Sequence, residues 1–178
     1  MEHLPPILFL LAVFLLLLAL MLKGWRSRAS RQVGAGLPAP RPLPSAADVP
    51  SAAAAGVYVA TTSAQRHLER IAAHGLGSRS RVSLVPGPET AHGAWEIRRE
   101  GAPSFAIPAE DLVEITTAPG MVGKWMGGDA LLVLRWRLGA ELLDTGVRLD
   151  SRADHDRLLA HAPHSDPTSD PISWKETP

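Results

Sequence analysis

One acidic residue lies in a pattern that is typical of acid–base catalysis. Residues 142–146 read Leu-Leu-Asp-Thr-Gly, and Asp-Thr-Gly loops supply the two carboxylates that share a proton in aspartic proteolysis. A chain with one such loop would have to dimerise to bring two carboxylates together. Too little sequence follows Gly146 for the other parts of such a subunit, and Arg135 offers Asp144 a structural partner. We therefore predict a structural role for Asp144.

A second stretch is similar to a phosphate-binding loop. Residues 118–125 read Ala-Pro-Gly-Met-Val-Gly-Lys-Trp, against the pattern G-x-x-x-x-G-K-[ST]. Ala118 replaces the first glycine, and Trp125 replaces the hydroxyl residue that contacts magnesium. Gly127 and Gly128 would also break the helix whose N-terminus should face the phosphate. The stretch is better interpreted as a mobile loop that connects two strands.

Three histidines near the C-terminus suggest a metal site: His155, His161 and His164. The first two are not spaced to share one face of a helix, and Pro163 would end the helix before the third. We expect all three to be exposed to solvent and to bind no metal. The chain has no cysteine, which excludes disulfides, thiolate metal sites and cysteine nucleophiles. No enzymatic activity and no cofactor is predicted.

The N-terminal region is apolar enough to cross a membrane. Residues 4–22 carry no charge and no amide, and as a helix they would span about 28 Å, close to the hydrocarbon core of about 30 Å. A cleaved signal peptide has its cations before the apolar run, whereas here they follow it, at Lys23, Arg26, Arg28 and Arg31. We predict an uncleaved anchor in the plasma membrane, with the N-terminus outside and the rest of the chain in the cytoplasm.

Differences in composition divide the chain into four predicted parts. Residues 1–31 are the anchor with its basic flank, 32–55 a linker rich in proline and alanine, 56–162 a folded domain, and 163–178 a disordered tail. The 18 basic residues balance the 18 acidic ones, so no net positive charge attracts nucleic acid, and no nucleic-acid partner is predicted.

Within the domain, alternating apolar residues predict seven strands: 56–61, 81–86, 94–99, 105–108, 111–118, 130–138 and 141–149. In the first, Val57, Val59 and Thr61 should share one face. The spacing of Thr62 and Gln65 predicts a capped helix that follows and ends near Gly75. Its buried stripe would comprise Ala64, Leu68, Ile71 and Ala72.

The last two strands form the strongest hairpin. Gly139 and Ala140 suit a type II′ turn, in which glycine takes the first central position. The resulting register pairs Trp136 with Leu143, Leu134 with Thr145, and Leu132 with Val147 on the core face. On the other face Arg135 should meet Asp144 as an exposed pair that stabilises weakly. A helix capped by Ser151 should follow, bury Leu158, Leu159 and Ala162, and stop at Pro163.

Seven strands followed by a helix is the order of a pleckstrin-homology-like (PH-like) barrel. Residues 123–149, GKWMGGDALLVLRWRLGAELLDTGVRL, with the single span and the Pro/Ala linker, resemble the small single-span PH-like membrane proteins of high-GC Gram-positive bacteria. The resemblance implies an α+β fold, with an N-terminal transmembrane helix and a PH-like seven-stranded split barrel capped by a C-terminal helix. It implies no catalytic residues. Members are sometimes labelled transporters.

The expected function is binding. The domain should act as a scaffold for an unidentified protein or a lipid head group, with the bilayer contacted through residues 4–22. The alternative is an accessory subunit of a transport or export complex, since one helix cannot form a pore alone. The candidate contact surface is the 119–129 loop, through Met121, Lys124, Trp125 and Met126. The opposing interpretation is that Trp125 folds back over the mouth of the barrel.

Overall fold

The computed structural model describes residues 4–34, 36–43, 53–66, 68–90, 93–121, 124–125 and 131–162. It begins with a long helix, α1 (Leu4–Gly34). Within α1 the segment Ile7–Gly24 is long and apolar enough to cross a membrane, and none of it is buried against the rest of the protein. Gly36, with a φ of 93°, follows the helix end and turns the chain toward the domain.

One antiparallel sheet forms the body of the domain. Its strands are β1 (Arg41–Pro42), β2 (Ala54–Ser63), β3 (Ser80–Val85), β4 (Trp95–Arg99), β5 (Phe105–Ile107), β6 (Leu112–Ala118), β9 (Leu131–Leu138) and β10 (Glu141–Leu149). A separate small hairpin joins β7 (Gly120–Met121) to β8 (Lys124–Trp125).

The strand order of the sheet is β1-β5-β4-β3-β2-β10-β9-β6. All seven predicted strands are present, and the eighth, β1, comes from the predicted linker. Because β1 and β6 lie at the two edges of the eight-stranded sheet, its hydrogen bonds do not close a ring. The sheet and the helix that follows it are confirmed, but the predicted seven-stranded split barrel is not.

The last hairpin has the predicted register. Trp136 pairs with Leu143, Leu134 with Thr145, and Leu132 with Val147. Gly139 has a φ of 62°, which suits the first central position of a type II′ turn. Inside the sheet, the Trp136 ring stacks on Phe105 with 5.7 Å between centroids. The main core is therefore organised by this hairpin.

A bulge in β2 changes which residues face that core. The pairing of β2 with β10 skips Val59, so Tyr58 and Thr61 lie on the same face and their hydroxyls are 2.6 Å apart. Val59 belongs to a smaller apolar cluster that does not include Tyr58. The predicted common face of Val57, Val59 and Thr61 is wrong, because the extra residue reverses the alternation.

The helix predicted after the first strand is also wrong. Thr62 is still within β2, where it pairs with Asp144, and the chain then folds back so that the Ile71 amide donates to the Thr61 carbonyl at 2.9 Å. Leu68, expected in a buried stripe, is 76% exposed. The described part of this segment contains only a short 3-10 turn, Ala73–Gly75. Pairing with β2 overrides the local helix pattern.

The C-terminal helix, α2 (Arg152–Leu159), follows its prediction. The Ser151 hydroxyl caps it by accepting from the Asp154 amide at 3.3 Å. Leu158 is fully buried in the main core, and Leu159 and Ala162 pack against it. The predicted tail, 163–178, lies outside the described residues.

The three histidines do not behave as a group. His155 is buried, so its predicted exposure is wrong. It lies on the face of α2 that also carries the buried Leu158. His161 is partly buried and packs edge-on against Trp95, with 6.5 Å between ring centroids. His164 lies outside the described residues.

Tyr58 is the only tyrosine of the chain, so its titration can be followed directly. Burial raises its pKa from 10.0 to about 12. Between these pH values the unfolded chain loses the phenolic proton while the folded chain keeps it, so stability that is complete below pH 10 is lost as the pH rises. We expect the free energy of unfolding to fall by roughly 2–3 kcal/mol across this window.

Tyrosinate absorbance of the full chain tests this expectation. The absorbance should appear with a midpoint near pH 12 in the folded protein and near pH 10 after unfolding in denaturant. A folded-state midpoint near pH 10 would show that the hydroxyl is not buried as described.

Candidate functional site

In the described part of the predicted contact loop, β7 pairs with β8, Gly120 with Trp125 and Met121 with Lys124. Met121 is buried in the smaller apolar cluster with Val59 and Val133, so its side chain is not available to a partner. The backbone pairing also differs from the strand-to-helix turn of a phosphate-binding loop. Met126 and the side chains of Lys124 and Trp125 lie outside what the structure describes, and their role stays a prediction.

The Asp-Thr-Gly sequence has a structural explanation, beginning with Asp144. Its carboxylate is fully buried in the middle of β10 and accepts hydrogen bonds from Arg135 Nε at 2.8 Å and Arg135 Nη2 at 2.9 Å. The hydrogen bond to Asp144 raises the pKa of Arg135. The predicted partner is confirmed, but the predicted exposure of the pair is wrong.

Thr145 and Gly146 complete the explanation. The Thr145 hydroxyl accepts from Trp136 Nε1 at 2.9 Å and lies 2.7 Å from the Thr61 hydroxyl, so it satisfies two polar groups of the core. A side chain at position 146 would come within 2.9 Å of the Met121 sulfur. Each residue of the Asp-Thr-Gly sequence therefore has a structural role in ion pairing, hydrogen bonding or packing.

A polar contact between distant parts of the chain joins α1 to the domain. The Gln32 Oε1 atom accepts from the amides of Ala72 at 2.7 Å and Ala73 at 3.0 Å. Gln32 Nε2 donates to the Arg70 carbonyl at 3.2 Å. One side chain at the end of α1 thus satisfies three backbone groups of the β2–β3 loop, the segment from Ala64 to Arg79. Sequence reasoning missed this contact.

Residues 36–43, which we call the strap, continue the attachment. Leu37 is buried in the main core, and its carbonyl lies 3.1 Å from His74 Nε2. Farther along, Arg41 and Pro42 pair with β5 as strand β1. This part of the predicted linker is therefore packed on the domain and does not act as an extended spacer.

The β2–β3 loop is fixed from its other side by Arg99, which is buried. Arg99 donates to the Gly75 carbonyl at 3.0 Å, to the Ser78 carbonyl, and to the Ser80 hydroxyl at 2.9 Å. Its guanidinium lies 3.9 Å from the centre of the Tyr58 ring, a cation–π contact. Burial lowers the pKa of Arg99. The loop that receives α1 is thus tied to the core.

Two cavities border the strap. One, of about 170 Å³, lies where the end of α1 and the strap meet the β2–β3 loop and the β9–β10 turn, and we call it the seam pocket. It is lined by Gln32, Gly36, Leu37, Pro38, Ser63, Arg66, Glu69, Ile71, Leu138, Ala140 and Glu141. The other, of about 260 Å³, is lined by Ala39, Pro40 and Pro42 of the strap and by His74, Pro103, Ser104 and Phe105.

Loss of the Gln32 amide should loosen the attachment of α1. In Gln32→Ala, the amides of Ala72 and Ala73 lose their acceptor, at a cost of about 1–3 kcal/mol to the local structure. Hydrogen exchange of the full chain in detergent should show faster exchange at residues 72 and 73. The only other glutamine, Gln65, is exposed, and Gln65→Ala is the matched control. Equal exchange in both variants would contradict the Gln32 contact.

Comparison with known proteins places the folded part of the chain in one family. A family model described as "Bacterial PH domain-like" matches residues 36–163. The match begins at the strap and contains every described strand and α2. No curated protein and no solved structure matches the chain.

Proposed function

Because the chain belongs to the bacterial PH domain-like family, we propose that it is a membrane-anchored binding module whose cytoplasmic domain binds a protein. Domains of this class generally bind proteins or lipid head groups and are not catalytic. The role of Asp144 as the buried partner of Arg135 supports a non-catalytic reading of the Asp-Thr-Gly sequence.

The observation that carries the proposal is the continuous connection from the apolar helix to the domain. The apolar segment ends at Gly24 and the domain is contacted at Gln32, eight residues farther along α1 and so about 12 Å away. Such a connection holds the domain close to the bilayer. A partner must therefore be a membrane protein or a protein that comes to the membrane.

The orientation and the boundaries belong to the same proposal. Four cations follow the uncharged residues 4–22, at Lys23, Arg26, Arg28 and Arg31, which favours a cytoplasmic domain. We propose an anchor over 1–31, a PH-like domain over 56–162 to which the strap adds residues 36–43, and a tail over 163–178. Lys124, Trp125 and Met126 remain the proposed contact with the partner.

Cross-linking in native membranes, followed by affinity capture of the full chain, tests this function. We expect a discrete protein adduct that is lost in Trp125→Ala and retained in Trp174→Ala, a control outside the matched region. Soluble proteins in the adduct would support a scaffold. Polytopic membrane proteins would support the second candidate, an accessory subunit of a transport complex. Absence of any adduct would contradict both.

A further inference from the structure

The seam pocket combines an apolar floor with an acidic rim. Leu37, Ile71 and Leu138 form the floor and are buried in the domain. The rim carries Arg66, Glu69 and Glu141. We propose that this pocket binds a lysine side chain of a protein partner, which deepens the proposed function by naming the chemistry of recognition.

The charges of the rim favour a cation. Arg66 and Glu69 neutralise each other, with 2.9 Å between Arg66 Nε and Glu69 Oε2. Glu141 is exposed, and within the described part of the chain its carboxylate makes no ion pair. The pocket therefore has one unpaired negative charge, which a partner's ammonium group would neutralise.

The end of α1 adds to this preference. Gln32 and Gly36 line the pocket, and they lie at the C-terminal end of a 31-residue helix. The peptide dipoles of a helix give this end a partial negative charge, which favours a cation close to it. Arg31 lies in the last turn of α1 but does not line the pocket, so the carboxylate and the helix terminus favour a cation there.

The shape of the pocket suits a cation at the end of an aliphatic chain. Its volume of about 170 Å³ is far larger than the roughly 15 Å³ that one water needs. Lysine buries its methylene groups on apolar surface while its ammonium group stays at the rim. The floor and the rim match these two parts of the side chain.

Occupancy should also affect the anchor. Four lining residues, Gln32, Gly36, Leu37 and Pro38, belong to α1 and the strap, and the others belong to the domain. A ligand that contacts both sides binds only the docked arrangement and therefore stabilises it. Partner binding and attachment of the domain to its anchor are thereby linked.

Nuclear magnetic resonance of the full chain in lipid nanodiscs tests the proposal. The probe is Nα-acetyl-lysine methylamide, and the matched neutral probe is Nα-acetyl-norleucine methylamide. We expect the amide signals of Leu37, Ile71 and Ala140 to shift saturably with the lysine probe and little with the norleucine probe. Glu141→Gln should weaken lysine binding about fivefold, as the loss of one close charge pair predicts.

A second glutamate provides the control. Glu100→Gln changes an exposed carboxylate outside the pocket and should leave lysine binding unchanged. Equal shifts with the two probes, or no effect of Glu141→Gln in a chain that is still folded, would overturn the proposal. Shifts that occur only in nanodiscs with phosphatidylethanolamine would assign the pocket to a lipid amine and overturn it as well. Protein capture through Trp125 can succeed or fail independently of these results.

Discussion

Asp144→Asn is expected to lower the free energy of unfolding by about 3 kcal/mol, because it removes one partner of a buried ion pair. Both Asp144 oxygens accept from Arg135, and the carboxylate is fully buried. An asparagine of the same shape keeps the volume but leaves the Arg135 guanidinium without its bidentate partner. Denaturant unfolding of the full chain in detergent, followed by tryptophan fluorescence, gives the difference.

The matched control is Asp150→Asn. Asp150 pairs with Arg81, 2.6 Å from Arg81 Nη2, and both side chains are exposed. Solvent screens such a pair, so the substitution should have little effect. If both variants lowered the free energy of unfolding by the same amount, burial of Asp144 would not explain the effect of its substitution.

Arg99→Met is expected to cost about 3 kcal/mol as well. The substitution retains an unbranched side chain but leaves the partly buried Ser78 carbonyl without its Arg99 donor, and an unsatisfied acceptor costs about 1–3 kcal/mol. It also removes one donor from the Gly75 carbonyl, which keeps its hydrogen bonds from Ser78. It also removes the cation from the Tyr58 ring. Because Arg99 holds the loop that receives Gln32, hydrogen exchange should accelerate at residues 72–78 together with the loss of stability.

Arg137→Met is the control for the loss of one positive charge, without the loss of the contacts that Arg99 makes. Arg137 is exposed on β9, so its substitution should change neither the stability nor the exchange of the loop. Unchanged exchange at residues 72–78 in Arg99→Met would contradict the role of Arg99 in fixing the loop.

The sequence predicted the features that depend on neighbours in the chain. Gly139 supports a tight turn, and the alternation on either side of it gives the register of β9 and β10 directly. Ser151 and Leu158 marked the start and the buried face of α2 for the same reason. In each of these elements, local preference and tertiary packing agree.

Features that depend on one extra residue or on distant contacts were missed. Bulges at Val59 and Val113 reverse the alternation of two strands, and nothing in their local composition marks them. Gln32 contacts backbone atoms 38 to 41 residues away, so its role is visible only in the folded chain. The burial of Arg99 could have been predicted, since alternation places it on the inward face of β4 with Trp95 and Ile97.

The candidate site shows the same division. The register of the hairpin predicted that Asp144 pairs with Arg135. The burial of the pair could not be predicted in this way, because it depends on what covers this face of the sheet. Met121 was expected on a loop surface, but the absence of a side chain at Gly146 allows it to pack on β10.

The proposed function depends most directly on the claim that the domain lies in the cytoplasm. A reporter fused after Pro178 measures it in living cells. An alkaline phosphatase fusion should be inactive and a fluorescent-protein fusion bright, because we expect the cations that follow residues 4–22 to keep residues 24–178 in the cytoplasm. An active phosphatase with a dark fluorescent protein would place the domain outside the cell and contradict every cytoplasmic partner proposed for it.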